Sequence, residues 1–168
     1  MKIIEHARFG RLDTGALRDT DALWRSTARL GDDEVEVLLW AAPSAELDSG
    51  ELDGLAARLE ELQALDTAAR AALRTYLGED RYFIDFHVEE LDDSEAVVRL
   101  VREAGGAEVG ADAFVAAMRL GGVGLWPGGS SGGAPVVLDY VLDPDLADEI
   151  LAVKVTRDGA VDSVDWES

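Results

Sequence analysis

The sequence "ILAVKVTRDGAVDSVDW", residues 150–166, is the stretch that best predicts the fold. β-Branched residues run on both sides of a "DG" pair that favours a tight turn, so this segment is predicted to be a β-hairpin. "WRSTARLGDDEVEVLLW", residues 24–40, has the same character around a "GDD" turn. An extended piece from Ile3 to Leu12 is predicted to pair beside this earlier hairpin. "GVGLWP" and "PVVLDYVLD" predict further strands, and "PGGSSGGAP" between them predicts a flexible link or hairpin tip.

Between the two hairpins the apolar residues recur every three or four positions, which is typical of amphipathic helices. Five helices are predicted, beginning at or near Asp48, Thr67, Asp80, Asp92 and Asp112. The first has an Asp48/Glu51 capping box, and Asp92 with Glu95 resembles another. The second is expected to end at Leu77, the fourth to direct Val97, Leu100, Val101 and Ala104 inward, and the last to end at Gly121.

The order of strands, then helices, then strands lacks the alternation of a parallel α/β fold. It predicts an α+β fold, an antiparallel sheet built from N- and C-terminal strands with a central run of helices packed on one face. The length of 168 residues and the absence of a domain-sized linker predict a single domain over residues 1–168. Neither a signal peptide nor a membrane-spanning segment is predicted.

The composition is strongly acidic, with a formal net charge of −20. Residues 1–30 hold six basic and four acidic side chains, a net +2, so the remaining residues carry −22. Such a chain is expected to bind neither nucleic acid nor an anionic membrane surface, whereas a basic protein partner would be attracted. The alternative is that the acidity reflects solubility and a GC-rich genome. The absence of cysteine excludes thiolate metal sites and is typical of a cytoplasmic protein.

"YFIDFHVEEL", residues 82–91, holds one of only two histidines beside several carboxylates. On a strand, Asp85, His87 and Glu89 would share one face and could bind a metal. The spacing of Ile84, Val88 and Leu91 favours a helix instead, which separates these groups and leaves His87 partly buried and bonded to a neighbour. No metal site and no cofactor is therefore predicted, and phosphate-loop motifs are incomplete in "GGVGLWPGGSSGGAP".

Two functions stay open. The first is a non-enzymatic protein-binding module whose acidic surface contacts a basic partner. The predicted contact residues are Asp32, Asp33, Asp85, Glu89, Glu90, Asp92 and Asp93, unless these are only solvated faces. The second is a metal-dependent hydrolase that uses His87 and nearby carboxylates.

Four segments resemble a bacterial family catalogued as domain of unknown function number two-thousand-and-four. They are "RFGRLD", "FIDFHVEEL", "GVGLWP" and "ADEILAVKVTRDGAVDSVDWES", and their order and spacing fit nearly the whole chain. The resemblance implies that "FHVEEL" lies in a helix and carries over no catalytic residues. Some members of that family are associated with neighbourhoods of toxin genes, so the resemblance also implies a toxin-neutralising, immunity-like role.

Overall fold

The computed structural model describes residues 1–130 and 133–167, which form a sheet covered on one face by helices. The strands are β1 (Ile3–His6), β2 (Gly10–Asp13), β3 (Asp21–Leu30), β4 (Asp33–Ala41), β5 (Arg119–Leu125), β6 (Val136–Val141), β7 (Ile150–Val155) and β8 (Val161–Glu167). The helices are α1 (Ser49–Glu60), α2 (Leu62–Glu79), α3 (Tyr82–Asp85), α4 (Ser94–Gly105) and α5 (Ala111–Ala117). A π-helical turn, Phe86–Glu90, continues α3.

Strands β3 to β8 form one six-stranded sheet in the order β3-β4-β5-β6-β7-β8. The α+β prediction is confirmed, and so are the two hairpins β3–β4 and β7–β8. The expectation of an antiparallel sheet is wrong at one place, because β4 and β5 pair in parallel. A parallel pair needs a crossover connection, and the run of helices between the two strands provides it.

The N-terminal segment does not extend this sheet as predicted. β1 and β2 pair antiparallel with each other and form a separate two-stranded ribbon. The ribbon directs Ile4 and Leu12 into the core, and Phe9 contacts Trp24 edge to face at 4.8 Å between ring centroids. It therefore covers one end of the core instead of lengthening the sheet.

The first two helices bury a continuous row of leucines against the sheet. The Asp48 cap of α1 is confirmed, since its carboxylate accepts a 2.9 Å hydrogen bond from the backbone N–H of Glu51. α2 begins at Leu62, earlier than the predicted Thr67, because Leu62 and Leu65 continue the buried face. α2 contacts β7 and β8, which anchors the helical layer to the later hairpin.

The predicted boundaries of the last two helices are wrong. The N-cap of α4 is Asp93, not Asp92, and its side chain makes no capping bond; Ala104 is exposed, not buried. α5 follows Gly110 instead of an Asp112 cap. It ends at Ala117, because residues 119–121 already belong to β5, where Leu120 pairs with Tyr140 of β6.

A buried polar network joins the helices to the sheet. The Asp66 carboxylate of α2 accepts a 2.7 Å hydrogen bond from the Tyr140 hydroxyl and two 3.1 Å bonds from Nε of Arg70. Nη1 of Arg70 donates to the carbonyls of Val115 and Met118 at 2.8 and 3.0 Å. Burial, followed by the bond to Asp66, raises the pKa of Tyr140 far above its ordinary range. The hydroxyl therefore stays protonated as a donor, and the network fixes the α5–β5 junction.

Candidate functional site

The face of the sheet opposite the helices carries every second residue of each strand, and in its β6–β7 part Val137, Ala152 and Lys154 are buried. We call this surface the open face. Register places one row of side chains across all six strands, and a second row lies beside it. The first row is Arg25, Leu38, Gly124, Val137, Lys154 and Ser163. The second row is Thr27, Glu36, Gly122, Asp139, Ala152 and Asp165.

A shallow depression of about 560 Å³ lies on the open face over β4, β5 and β6. Two glycines, Gly122 and Gly124, form part of its floor. At one end the indoles of Trp40 and Trp126 stack, with centroids 5.5 Å apart and planes inclined by 12°. The stack lies against Gly124, where a Cβ atom would come within 3.1 Å of Nε1 of Trp126. The missing side chain at this position thus makes room for the tryptophan pair.

Two carboxylates flank the other glycine of the floor. Glu36 and Asp139 are the register neighbours of Gly122 on either side, and we call this trio the notch. Strands in a sheet lie about 4.8 Å apart, so the two acidic residues stand roughly 10 Å apart across the glycine. The notch is therefore a gap in the second row with a carboxylate on each side.

Asp139 is the most perturbed carboxyl of the open face. Burial, and then repulsion from Glu167, raise its pKa to about 6, against a smaller opposing effect of Lys154. The Lys154 ammonium is 3.9 Å from Glu167, and Asp139 makes no hydrogen bond or ion pair with another described residue. Asp139 is thus a half-buried acid whose ionised form has no direct partner.

The predicted contact residues fall into two groups that the structure does not bring together. Asp32 and Asp33 are exposed in the β3–β4 turn, where Gly31 adopts a φ of 61°, and Asp33 borders the depression. This group therefore lies at the β3–β4 turn beside the depression, on the β3 side of the sheet.

The second group lies around the π-helical turn in the helical layer. Glu89, Glu90, Asp92 and Asp93 are exposed, and Asp85 lies 3.7 Å from Arg81. This segment packs against β8 through the contact between Phe86 and Trp166, at 5.4 Å between centroids. β3 and β8 are opposite edges of the sheet, so one compact interface does not include both groups.

His87 is fully buried, whereas the prediction made it partly buried. Its Nδ1–H donates a 2.7 Å hydrogen bond to the carbonyl of Phe83, and Nε2 has no hydrogen-bond partner among the described residues. The ring lies 4.2 Å from that of Phe83 and 6.1 Å from that of Phe114, between centroids. Burial lowers its pKa, despite the bond to Phe83. The helical conformation of this segment places the imidazole of His87 among aromatic rings and away from the exposed carboxylates of the same turn.

The other histidine uses both of its ring nitrogens in structural bonds. Nε2 of His6 is 2.8 Å from a carboxylate oxygen of Asp53, and Nδ1 accepts from the backbone N–H groups of Arg8 and Phe9 at 3.1 and 3.4 Å. These bonds fix the tautomer and leave neither nitrogen free to act as a base.

Within residues 1–130 and 133–167, no three His, Cys, Asp or Glu side chains gather in a way that could hold a metal ion. Across the same residues, none of the helices is long and apolar enough to cross a bilayer.

A second cleft, of about 320 Å³, lies between α1 and the loop that joins β5 to β6. Trp126 and two prolines form part of its wall, together with Arg58 and Arg157. Both arginines are already paired, Arg157 with Glu51 and Arg58 with Glu61 at 3.4 Å. The cleft is charge-balanced, in contrast to the open face. The segment between β5 and β6 was predicted to be a flexible link or a hairpin tip. Its two ends are joined by bonds from Trp126 N–H to Pro135 and from Ser130 N–H to Ala134, while residues 131 and 132 lie outside the described part.

Sequence reasoning missed the tryptophan pair and Asp139. The alternation in "PVVLDYVLD" does place Asp139 opposite the core face, and the glycines of "GVG" alternate in the same way. These signals show on which face of its strand a residue lies. They do not show which residues lie beside it on the adjacent strands, because that depends on how strands distant in the sequence pair.

No family model, curated protein or solved structure matches this chain. The resemblance to the bacterial family of unknown function therefore stays a prediction.

Proposed function

We propose that this protein is a non-enzymatic binding protein that presents the open face of its sheet to a basic protein. One observation supports this most directly: Trp40 lines the same depression as the carboxylates Glu36 and Asp139, and the indole of Trp126 stacks on that of Trp40. Tryptophan is enriched among the residues that dominate binding energy at protein interfaces.

The charge of the chain favours a basic partner over an acidic or neutral one. The residues after position 30 carry −22, and Glu34, Glu36, Asp165 and Glu167 are exposed on the open face. Complementary charges accelerate the encounter of two proteins and disfavour partners of the wrong sign. Lys154 offers little opposing charge, because its side chain is 9% exposed and lies near Glu167.

Neutralisation of a toxin is one form that this function would take, with the basic partner being the toxin. A cytoplasmic location forms part of the proposal and is motivated by the absence of cysteine. In the toxin case, complex formation would abolish the activity of the partner.

Affinity capture with matched variants tests the proposal. Glu34→Gln/Glu36→Gln removes two exposed charges from the open face, and Glu89→Gln/Glu90→Gln removes two from the helical layer. We expect the wild type and the helical-layer variant to retain the same basic protein at low salt, and the open-face variant to lose it. Close charge pairs at an interface contribute about 1.5 kcal/mol or more, so the open-face variant should bind at least about tenfold more weakly.

Two results would contradict the proposal. One is that no protein is retained specifically at low or high salt. The other is that the retained protein binds the open-face variant as well as it binds the wild type, which would place the interface elsewhere.

A further inference from the structure

We propose that the notch and the tryptophan pair together receive an arginine side chain of the partner, with its guanidinium between Glu36 and Asp139 above Gly122. This inference rests on the proposed function and specifies the group that the open face recognises. It is carried by the register that places a carboxylate on each side of Gly122, the open space above this glycine and the neighbouring indoles.

The notch has room for one cationic group. A Cβ atom at Gly122 would meet nothing nearer than the Glu36 carbonyl oxygen at 3.9 Å, so the space above this glycine is open. The strands that carry the two carboxylates lie roughly 10 Å apart, so a group above Gly122 has one carboxylate residue on each side, each within reach of a charge-assisted hydrogen bond of about 2.8 Å. A planar guanidinium with donors on both edges fits this arrangement.

The tryptophans favour arginine over lysine. Gly124, beneath the stack, follows Gly122 by two residues, so the indoles lie roughly 7 Å along the strand from the notch. A guanidinium on a flexible stem can contact carboxylates and an indole face at the same time, whereas an ammonium is a compact and more strongly hydrated charge. Within the chain itself, Arg25 already approaches Glu36 from the β3 side at 3.4 Å, which leaves the side towards Asp139 for the partner.

Binding at the notch should be coupled to the ionisation of Asp139. Its pKa of about 6 in the free protein reflects burial and Glu167, while Lys154 acts in the opposite direction. The other charged groups that line the depression are Asp33, Glu34 and Glu36 on β4 and Arg119 on β5, and Asp165 on β8 lies two strands from Asp139 in the same row. A bound cation lowers the pKa of Asp139 and displaces its proton, so affinity should rise with pH through about 6 and then level off.

Capped hexa-arginine and hexa-lysine peptides serve as probes, with calorimetric titration of wild type, Asp139→Asn and Asp92→Asn. Asp92 is exposed in the helical layer, so its variant removes the same charge away from the notch. We expect hexa-arginine to bind the wild type about tenfold more tightly than hexa-lysine, because one desolvated contact of a guanidinium with an indole face contributes a difference of this size. Asp139→Asn should reduce this preference to below about threefold, and Asp92→Asn should keep it. Glu36→Gln, at an exposed position, provides a second notch variant with the same expected loss.

The pH dependence gives an independent readout. Hexa-arginine affinity for the wild type should increase by about tenfold for each unit by which binding lowers the pKa of Asp139, and Asp139→Asn should flatten the profile around pH 6. Equal binding of the two peptides, or equal losses in Asp139→Asn and Asp92→Asn, would overturn the assignment of the notch. Failure of the proposed function is seen separately, in the capture experiment with Glu34→Gln/Glu36→Gln.

Discussion

Removal of the Tyr140 hydroxyl tests whether the buried network stabilises the fold. In Tyr140→Phe the ring keeps its fully buried place, and the change removes the 2.7 Å bond to Asp66. A hydrogen bond to a charged acceptor contributes about 1.5–3 kcal/mol. Since 1 kcal/mol shifts the melting temperature of a domain of this size by about 2–4 °C, the variant should melt about 3–12 °C below the wild type. Denaturant unfolding followed by tryptophan fluorescence measures the free energy directly.

The control is Tyr76→Phe, because Tyr76 is half-buried and its hydroxyl bonds to no other described residue. This variant should stay within about 0.5 kcal/mol of the wild type. A double-mutant cycle of Tyr140→Phe with Asp66→Ala should give a coupling energy of at least about 1 kcal/mol. A loss below about 0.5 kcal/mol for Tyr140→Phe, or additivity in the cycle, would refute the reasoning.

Two further predictions concern His87 and the glycines. Because burial lowers the pKa of His87 below its ordinary 6.5, the unfolded chain takes up this proton first, and stability should fall as the pH drops below about 6.5. When the pH is lowered from about 7.5 to 5.5, the free energy of unfolding should decrease less in His87→Leu than in the wild type. An equal decrease would show that His87 does not contribute to the pH dependence of stability. Gly105→Ala should destabilise by at least about 1 kcal/mol, because its Cβ would lie 2.3 Å from the Cα atom of Ala113. The matched change Gly54→Ala, in the open interior of α1, should stabilise by about 0.5–1 kcal/mol, and the pair is compared by thermal unfolding.

Local signals predicted the elements that local interactions form. The two hairpins follow from alternating side chains around residues that tolerate tight turns, and the start of α1 follows from the reach of Asp48 to the N–H of Glu51. The parallel pairing of β4 with β5 was not predicted, because strand order depends on how the helices return the chain to the sheet. The ribbon β1–β2 was placed wrongly for a similar reason, since a short apolar strand can extend a sheet or cover a core.

The candidate site was harder to predict because the register between strands determines which of its residues become neighbours. Asp139 becomes a neighbour of Glu36 only through the pairing of β4 with β5 and of β5 with β6. An irregularity between Leu120 and Gly122 sets the second of these registers, and nothing in the sequence marks it. Proximity along the chain, by contrast, suggested a cluster around His87 that the helical turn separates into a buried ring and exposed acids.

The pairing of Glu36 with Gly122 also has a consequence for how the chain assembles during synthesis. Each hairpin closes a short loop and can form in about 1–10 μs, whereas β4 and β5 can join only after every helix between them has been made. Closing so long a loop carries a larger entropic cost, and non-local pairing slows folding. Until β5 leaves the ribosome, one side of β4 has unpaired backbone groups and is open to pairing with other chains. The nascent protein should therefore aggregate most readily when translation pauses within the helical segment.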